Sequence, residues 1–309
     1  MADLDAILDG LRVAYARIGE VEAVAAANPG DVYVLASLES VKQDAIQLEA
    51  EWLEQCRVKQ IDVCRYKLQS LSRGYSAASF AKSLLEFQEL FSQIFDAKKN
   101  GVKQRARVSG ETLSETTFGF AYSYPGSLGV ALTIQNEVNL FEGKFAGAVA
   151  AFNEITSIDN EDDVRVAATV LGDAVIKKIY DWSNVNYRAG FSVDVVWMSA
   201  QGRQSGKFIE RDSLGRIVDL IDKTKDIEVQ TFRVSGTLVA IDTIKKRFRF
   251  VVPDGEDYAG PVSDAFDISR KWAVNTTYVA TIRVVAITKY STQQTDQTHT
   301  LEGLEDEKV

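Results

Sequence analysis

The chain has 309 residues, of which 46% are hydrophobic and 26% charged, a balance typical of a globular protein with room for two or three modest domains. Its formal net charge of −9 excludes a general affinity for nucleic acid or anionic membranes, unless positive charge is gathered locally. The only histidine is His299, so a metal site built on several imidazoles is excluded. Cys56 and Cys64 are too few for a disulfide framework, and we interpret them as reduced thiols.

The sequence also lacks the signals of membrane insertion and secretion. It contains no run of 18 or more apolar residues, and its first residues are acidic where a secretion signal is basic. We therefore predict a cytoplasmic protein without membrane contact. Motifs that hold phosphates, nucleotides or metal ions are missing, so we predict no cofactor, no metal and no catalytic residue.

The N-terminal segment predicts two long helices joined by a short turn. Apolar residues from Leu4 to Val24 return at three- and four-residue steps, and Asn28-Pro29-Gly30 ends the first helix. Asp31 can cap the second helix, which keeps the same period as far as Trp52. The two helices are expected to form an antiparallel hairpin.

This hairpin, predicted as a domain over residues 1–57, buries only one face of each helix by itself. We predict that it contacts a protein partner, either a second copy or a neighbouring subunit, and that the chain forms a homo-oligomer. An uncovered apolar stripe that includes tryptophan is typical of a binding surface. The predicted stripe consists of Leu35, Leu38, Ala45, Leu48 and Trp52. A plain packing pair of helices is the alternative.

Residues 58–226 indicate a mixed α+β domain. A strand follows Val58 and buries Cys64, and a strong helix runs from Ser76 to Asn100-Gly101. Two further strands flank the stretch SYPGSLGV, whose Pro-Gly order is typical of a type II turn. A phosphate loop needs a helix directly after its glycines, so we interpret this stretch as a hairpin turn.

The rest of this domain alternates helices and a strand. Helices are predicted at about 142–157 and 162–181, followed by a strand at 191–198. The segment GRQSGK is expected to be a polar, flexible link before a helix around residues 214–221.

Residues 227–309 change to a period of two, with glycine and proline between short apolar runs. Five strands are expected, at 230–241, 247–252, 258–262, 277–288 and 298–304. Five short strands in so few residues favour a small SH3-like or OB-like β-barrel. The predicted fold class is therefore α+β, with a helical hairpin, a mixed domain and a C-terminal barrel.

Two basic clusters favour nucleic-acid binding as an alternative function. One follows the strong helix and consists of Lys98, Lys99, Lys103, Arg105 and Arg107. The other lies in the barrel and consists of Lys245, Lys246, Arg247 and Arg249. Both patterns also have explanations without a ligand. Cations such as Lys98 and Lys99 are favoured at a helix C-terminus. Arginines that alternate with buried phenylalanines, as in the barrel cluster, are typical of a half-buried strand.

A carboxylate-based, metal-dependent nuclease or other hydrolase is the second alternative. Such a core commonly offers an Asp on one strand and Glu-x-Lys on the next. Here Glu142-Gly143-Lys144 opens a predicted helix, and Pro253-Asp254 lies far downstream. The parts of this site are present in the chain but are not expected to come together.

Two passages carry a resemblance to known proteins. They are TTFGFAYSYPGSLGVALTI with the helix after it, and RVSGTLVAIDTIKKRFRFVVPDGEDYAGPVSD with NTTYVATIRVV and TLEGLED. The chain resembles uncharacterised bacterial proteins associated with anti-phage defence loci, which combine an α+β domain with a small C-terminal barrel. The similarity spans about residues 58–309 and includes no catalytic motif. No functional residue can be carried over from it. The missing imidazoles, the absence of phosphate and metal motifs, and a hairpin that needs a partner favour a non-catalytic interaction protein, a sensor or adaptor subunit of a bacterial complex.

Overall fold

The computed structural model of the chain describes residues 3–70, 76–124, 128–136, 144–267 and 270–306. The chain divides into two compact units, Met1–Lys223 and Thr224–Val309. The first unit contains the N-terminal hairpin together with a mixed α+β body, and the second is built from strands. The protein is therefore of the α+β class, as its sequence predicts.

Two long helices form the hairpin, α1 at Leu4–Ala27 and α2 at Val32–Val58. The Asn-Pro-Gly turn separates them as predicted. Asp31 caps α2, because its carboxylate accepts hydrogen bonds from two backbone N–H groups of the first helical turn at 2.9 and 3.3 Å. The hairpin belongs to the first unit.

A five-stranded sheet forms the centre of the first unit, and every neighbouring pair of strands is antiparallel. The strands are β1 (Ile61–Ser70), β2 (Gly119–Tyr124), β3 (Leu128–Gln135), β4 (Phe191–Met198) and β5 (Gln204–Ile209). Their order across the sheet is β2-β3-β1-β4-β5. The pairing of β2 with β3 confirms the predicted hairpin, whose turn residues 125–127 lie outside the described residues.

Six helices are described in the body of the first unit. They are α3 (Ala77–Asn100), α4 (Gly110–Thr116), α5 (Ala146–Ile155), α6 (Glu161–Leu171), α7 (Asp173–Ala189) and α8 (Arg211–Lys223). Successive residues of β1 point to opposite faces of the sheet. Tyr66 packs against Phe87 of α3, with ring centroids 4.6 Å apart, whereas Val63 packs with the hairpin. Helices therefore cover both faces.

One predicted helix is two helices in the structure. The expected helix at 162–181 is interrupted at Gly172, which has a φ of 90° and separates α6 from α7. A Cβ at this position would lie 2.6 Å from the carbonyl oxygen of Lys103, so only glycine permits this close approach. The residues between α3 and α4, Arg105 and Arg107 among them, have no regular secondary structure.

The GRQSGK segment is also different from its prediction. Residues Gln204–Ile209 form the edge strand β5, which pairs with β4 along its length. The polar side chains of this segment concealed the strand, because an edge strand exposes one side of its backbone to water and tolerates polar residues. Its one buried apolar residue is Ile209.

The second unit is a nearly closed antiparallel sheet. Its strands are β6 (Lys225–Asp242), β7 (Arg247–Val251), β8 (Asp257–Pro261), β9 (Thr276–Lys289) and β10 (Gln294–Asp306), in the order β10-β9-β6-β7-β8. A parallel bridge between Val262 and Leu301 brings the two ends of the sheet together. This Greek-key order, with one parallel closing contact, is OB-like rather than SH3-like.

The barrel interior contains the apolar residues that alternate along its strands. Phe248 and Phe250 are buried among Leu238, Ile282 and Leu301. The closing contact also requires a glycine, since a Cβ on Gly260 would lie 1.9 Å from the carbonyl oxygen of His299. Any side chain there would force the two ends of the sheet apart.

Candidate functional site

The hairpin has two parts with different surroundings. In the first, which we call the base, Ile7 and Leu11 of α1 and Trp52 and Cys56 of α2 form a core cluster with Val63 of the sheet. In the second, the arm (residues 14–48), the hairpin packs against itself. Its cluster consists of Ala14, Ile18, Val41 and Ala45, with Leu38 and Leu48 partly buried against it.

The predicted partner-binding residues divide between these parts. Trp52 is only 1% exposed, and its ring meets that of Tyr122 edge-on, with centroids 5.3 Å apart. A partner cannot reach this side chain, so the prediction that Trp52 belongs to an uncovered stripe is wrong. The sheet of the same chain covers it. Leu38 and Leu48 are half-buried within the hairpin, and Leu35 is 47% exposed.

Polar contacts also hold the base to the sheet. Arg12 of α1 donates two hydrogen bonds to the carbonyl oxygen of Ala121, at 2.9 and 2.7 Å. Glu49 of α2 pairs with Arg65 of β1 and accepts a hydrogen bond from the hydroxyl of Tyr122. Burial raises the pKa of the Cys56 thiol to about 12, so this thiol remains protonated and packs as an apolar group.

A second set of residues runs along the outer side of α2 in the arm. We call Val32, Leu35, Glu39, Lys42 and Ile46 the α2 stripe. Its members recur at three- and four-residue steps, so they lie on one side of the helix. Val32 is 73% exposed and Ile46 58%, and Glu39 is exposed as well. Within the described residues, the three apolar side chains of the stripe are left largely to solvent.

The basic cluster after α3 is partly neutralised by carboxylates. Lys99 pairs with Glu115 at 2.6 Å, and Lys103 pairs with the buried Asp96. Lys98, Arg105 and Arg107 are exposed. Two of the five cations therefore stabilise their own chain, and a nucleic-acid contact at this cluster stays a prediction.

The barrel cluster shows a similar arrangement. Nε and Nη2 of Arg249 both donate to Oδ2 of Asp257, at 2.9 and 2.7 Å, and Lys246 pairs with Asp264 at 2.6 Å. Lys245 and Arg247 are exposed. The phenylalanines between these cations point into the barrel and offer no ring to a base. Nucleic-acid binding here also stays a prediction, without a stacking surface on this strand.

The residues proposed for a nuclease do not form a site in the described part of the chain. Lys144 pairs with Glu115 at 3.1 Å, whereas Glu142 and Gly143 lie outside the described residues. Asp254 belongs to the second unit. Among the residues that the structure describes, no three His, Cys, Asp or Glu side chains are grouped as metal ligands.

One buried carboxylate stands out in the first unit. Asp62 of β1 is 1% exposed and accepts three hydrogen bonds. The donors are the side-chain amide of Asn136 at 2.7 Å, the backbone N–H of Ala200 at 2.7 Å and the indole N–H of Trp197 at 3.0 Å. Burial raises the pKa of Asp62 above its ordinary value, and the three donors oppose that shift. All three partners donate, which suits the ionised form of the carboxylate.

Asp62 also lines a cavity of about 300 Å³ between α5 and the β4–β5 hairpin. No motif marks Asp62, although the sequence carries a signal for it. In β1 the alternate residues Asp62, Cys64, Tyr66 and Leu68 are all buried, so one acid stands among apolar positions. A carboxylate on the buried side of a strand is unusual enough to mark a site.

Comparisons with known proteins give no functional information for this chain. No protein family model matches it, and neither a curated protein nor a solved structure is significantly similar to it. In the described residues, no helix combines the length and the hydropathy needed to cross a bilayer.

Proposed function

We propose that the protein is a non-catalytic interaction protein, a sensor or adaptor subunit, and that its α2 stripe joins two copies of the chain. The observation that supports this proposal is the order of residues in the stripe. Along the stripe the side chains are apolar, acidic, basic and apolar, at Leu35, Glu39, Lys42 and Ile46. In an antiparallel second copy this order is reversed, so apolar residues face apolar residues and each acid faces a base. A surface that complements itself is what a twofold dimer requires.

The expected dimer pairs the two α2 helices in antiparallel orientation. With the twofold axis between positions 40 and 41, Leu35 of each copy faces Ile46 of the other, and Glu39 faces Lys42. The heptad-like spacing of the stripe suits knobs-into-holes packing between two helices. Opposite charges at the middle of such a seam fix its register.

The two central charges keep partners within their own chain. Lys42 pairs with Glu22 of α1 at 2.9 Å, and Glu39 accepts a hydrogen bond from Gln43 at 2.9 Å. All four side chains are at least partly exposed, so the dimer would extend these pairs into a network. A seam between two single helices buries less than roughly 1,200 Å², which is the size of weak and transient contacts. We therefore expect dissociation constants of roughly micromolar or above.

Charge exchange tests this arrangement directly. Glu39→Lys places lysines opposite each other in the dimer, and Lys42→Glu places acids opposite each other, so each variant alone should be monomeric. The double variant Glu39→Lys/Lys42→Glu restores both pairs and should dimerise like the wild type. An equimolar mixture of the two single variants should associate as well, since each is then complementary to the other.

Sedimentation velocity over a concentration series provides the measurement, and circular dichroism melting verifies that each variant is folded. Glu51→Lys is the matched control, because Glu51 is an exposed acid on the same helix outside the α2 stripe. A wild-type protein that remains monomeric at several hundred micromolar would overturn the proposal. Association that survives both single exchanges would place the contact on another surface.

Two further expectations remain part of this proposal. Both cysteines are free and buried, which supports a reducing compartment such as the cytoplasm. A role in an anti-phage defence complex is a prediction that rests on the resemblance in the α+β and barrel segments.

A further inference from the structure

The cavity at Asp62 has two chemically different sides. Small and aliphatic residues of α5, Ala146, Val149 and Ala150, line one side, and Trp197 of β4 lines it as well. Asp62 of β1 lines the same cavity. Several polar residues also line it, Asn153, Ser199, Gln201, Gln204 and Ser205. A cavity that combines apolar walls with polar groups is typical of sites for small molecules.

Asp62 forms no ion pair among the described residues. Its three hydrogen bonds come from neutral groups, and among the described residues no Lys or Arg nitrogen lies within the 4.0 Å of an ion pair. Buried charges in proteins are normally paired, because removing an ion from water is costly. A positive charge brought by a ligand would complete this site.

Asp62 also has capacity for another donor. An ionised carboxylate offers about four lone-pair positions. Asn136 and Ala200 donate to Oδ1, whereas Trp197 alone donates to Oδ2, so Oδ2 retains an open position. Asn136 is held in the orientation that points its amide nitrogen at Asp62, because its oxygen accepts a hydrogen bond from the backbone of Lys144 at 3.0 Å.

We propose that this cavity binds a small organic cation, a primary ammonium or amidinium compound about the size of one aromatic ring. Its charged group contacts Asp62, and its apolar part lies between α5 and Trp197. This site is separate from the α2 stripe, and it would give the protein a ligand to sense. Arg203 lines the same cavity and is exposed, so it disfavours a cation by modest repulsion at most.

Ligand-observed saturation-transfer NMR on the full chain tests the charge requirement. Benzylammonium, benzyl alcohol and benzoate share one shape and differ in charge, and benzamidinium and butylammonium extend the set of cations. We expect benzylammonium to bind at least about tenfold more tightly than benzyl alcohol, since a charge-assisted hydrogen bond is stronger than a neutral one. Benzoate should not bind.

Two variants locate the binding in this cavity. Asp62→Asn removes the charge and should abolish the preference for the cation over the alcohol. Ala150→Leu fills the cavity from α5 without touching Asp62, and it should abolish the binding of both compounds. Ala78→Leu is the matched control, because Ala78 is an exposed helical alanine that does not line the cavity. Arg203→Gln should strengthen cation binding slightly.

The outcomes separate clearly. Equal affinity for benzylammonium and benzyl alcohol would show an apolar cavity without cation recognition, and would overturn the proposal. So would the failure of all three cations to bind the wild type at millimolar concentration. If Asp62→Asn unfolds the protein, two other results still test the proposal. They are the preference of the wild type for benzylammonium over benzyl alcohol, and the loss of binding in the folded Ala150→Leu variant.

Discussion

In the base of the hairpin, α2 presents Trp52 and Cys56 to the sheet, where they are buried. In the arm, the same helix presents Leu35 and Ile46 to solvent. The two pairs lie on different sides of α2, since Trp52 and Cys56 face the sheet whereas Leu35 and Ile46 lie on the outer side of the helix. The difference arises because the sheet lies beside the base and not beside the α2 stripe. An apolar position on a helix therefore predicts that the side chain needs a packing partner. Only the tertiary structure shows whether that partner is in the same chain.

The strongest test of this comparison is removal of the tryptophan in the base. Trp52→Ala should lower the free energy of unfolding by about 3–5 kcal/mol, because a large fully buried side chain leaves a cavity. Chemical denaturation measures this loss. Self-association of the folded variant should be unchanged, since Trp52 lies in the interior. A folded Trp52→Ala protein of near wild-type stability that no longer associates would contradict this comparison. It would show that the base, and not the arm, forms the contact between copies.

A smaller effect is expected from the polar contacts of the base. Glu49→Gln removes the charge that pairs with Arg65, although the amide can still accept from the Tyr122 hydroxyl. Leaving the largely buried Arg65 without its partner should cost about 1–3 kcal/mol of unfolding free energy. Glu54→Gln is the control, because its pair with Arg57 is exposed and worth about 0–1 kcal/mol. Equal losses in both variants would show that the Glu49 contact does not hold the base.

The smallest effect on the monomer is expected at the α2 stripe. Leu35→Ser should change the unfolding free energy by no more than about 0.5 kcal/mol, as surface substitutions usually do. Its dimerisation should nevertheless weaken, which sedimentation velocity would detect. A large loss of monomer stability would mean that Leu35 packs within its own chain.

The sequence predicts the long elements well. The helix after Ser76, the Asp31 cap and the β2–β3 hairpin follow from regular periods and from cap and turn residues, which act over a few neighbouring positions. The structure departs from prediction where distant contacts decide the outcome. The break at Gly172 depends on the backbone of Lys103, and β5 depends on pairing with β4.

The candidate sites show the same limit. Leu35 is exposed, as its predicted partner-binding role requires, whereas Trp52, predicted in the same uncovered stripe, is buried. The helical period does not show the sheet that covers Trp52. The cavity at Asp62 combines residues from β1, α5 and the β4–β5 hairpin. No local pattern links these segments, although the acid on the buried side of β1 is visible in the sequence.

The closing bridge of the barrel has a consequence for how the second unit reaches its native state. Val262 and Leu301 are far apart along the chain, and β6 pairs with β9 across two intervening strands. Joining such distant segments requires a large loss of chain entropy before any contact forms. Domains dominated by non-local pairing fold slowly, in milliseconds to seconds, whereas a helical hairpin forms from neighbours. We therefore expect the hairpin of α1 and α2 to be structured well before the barrel closes.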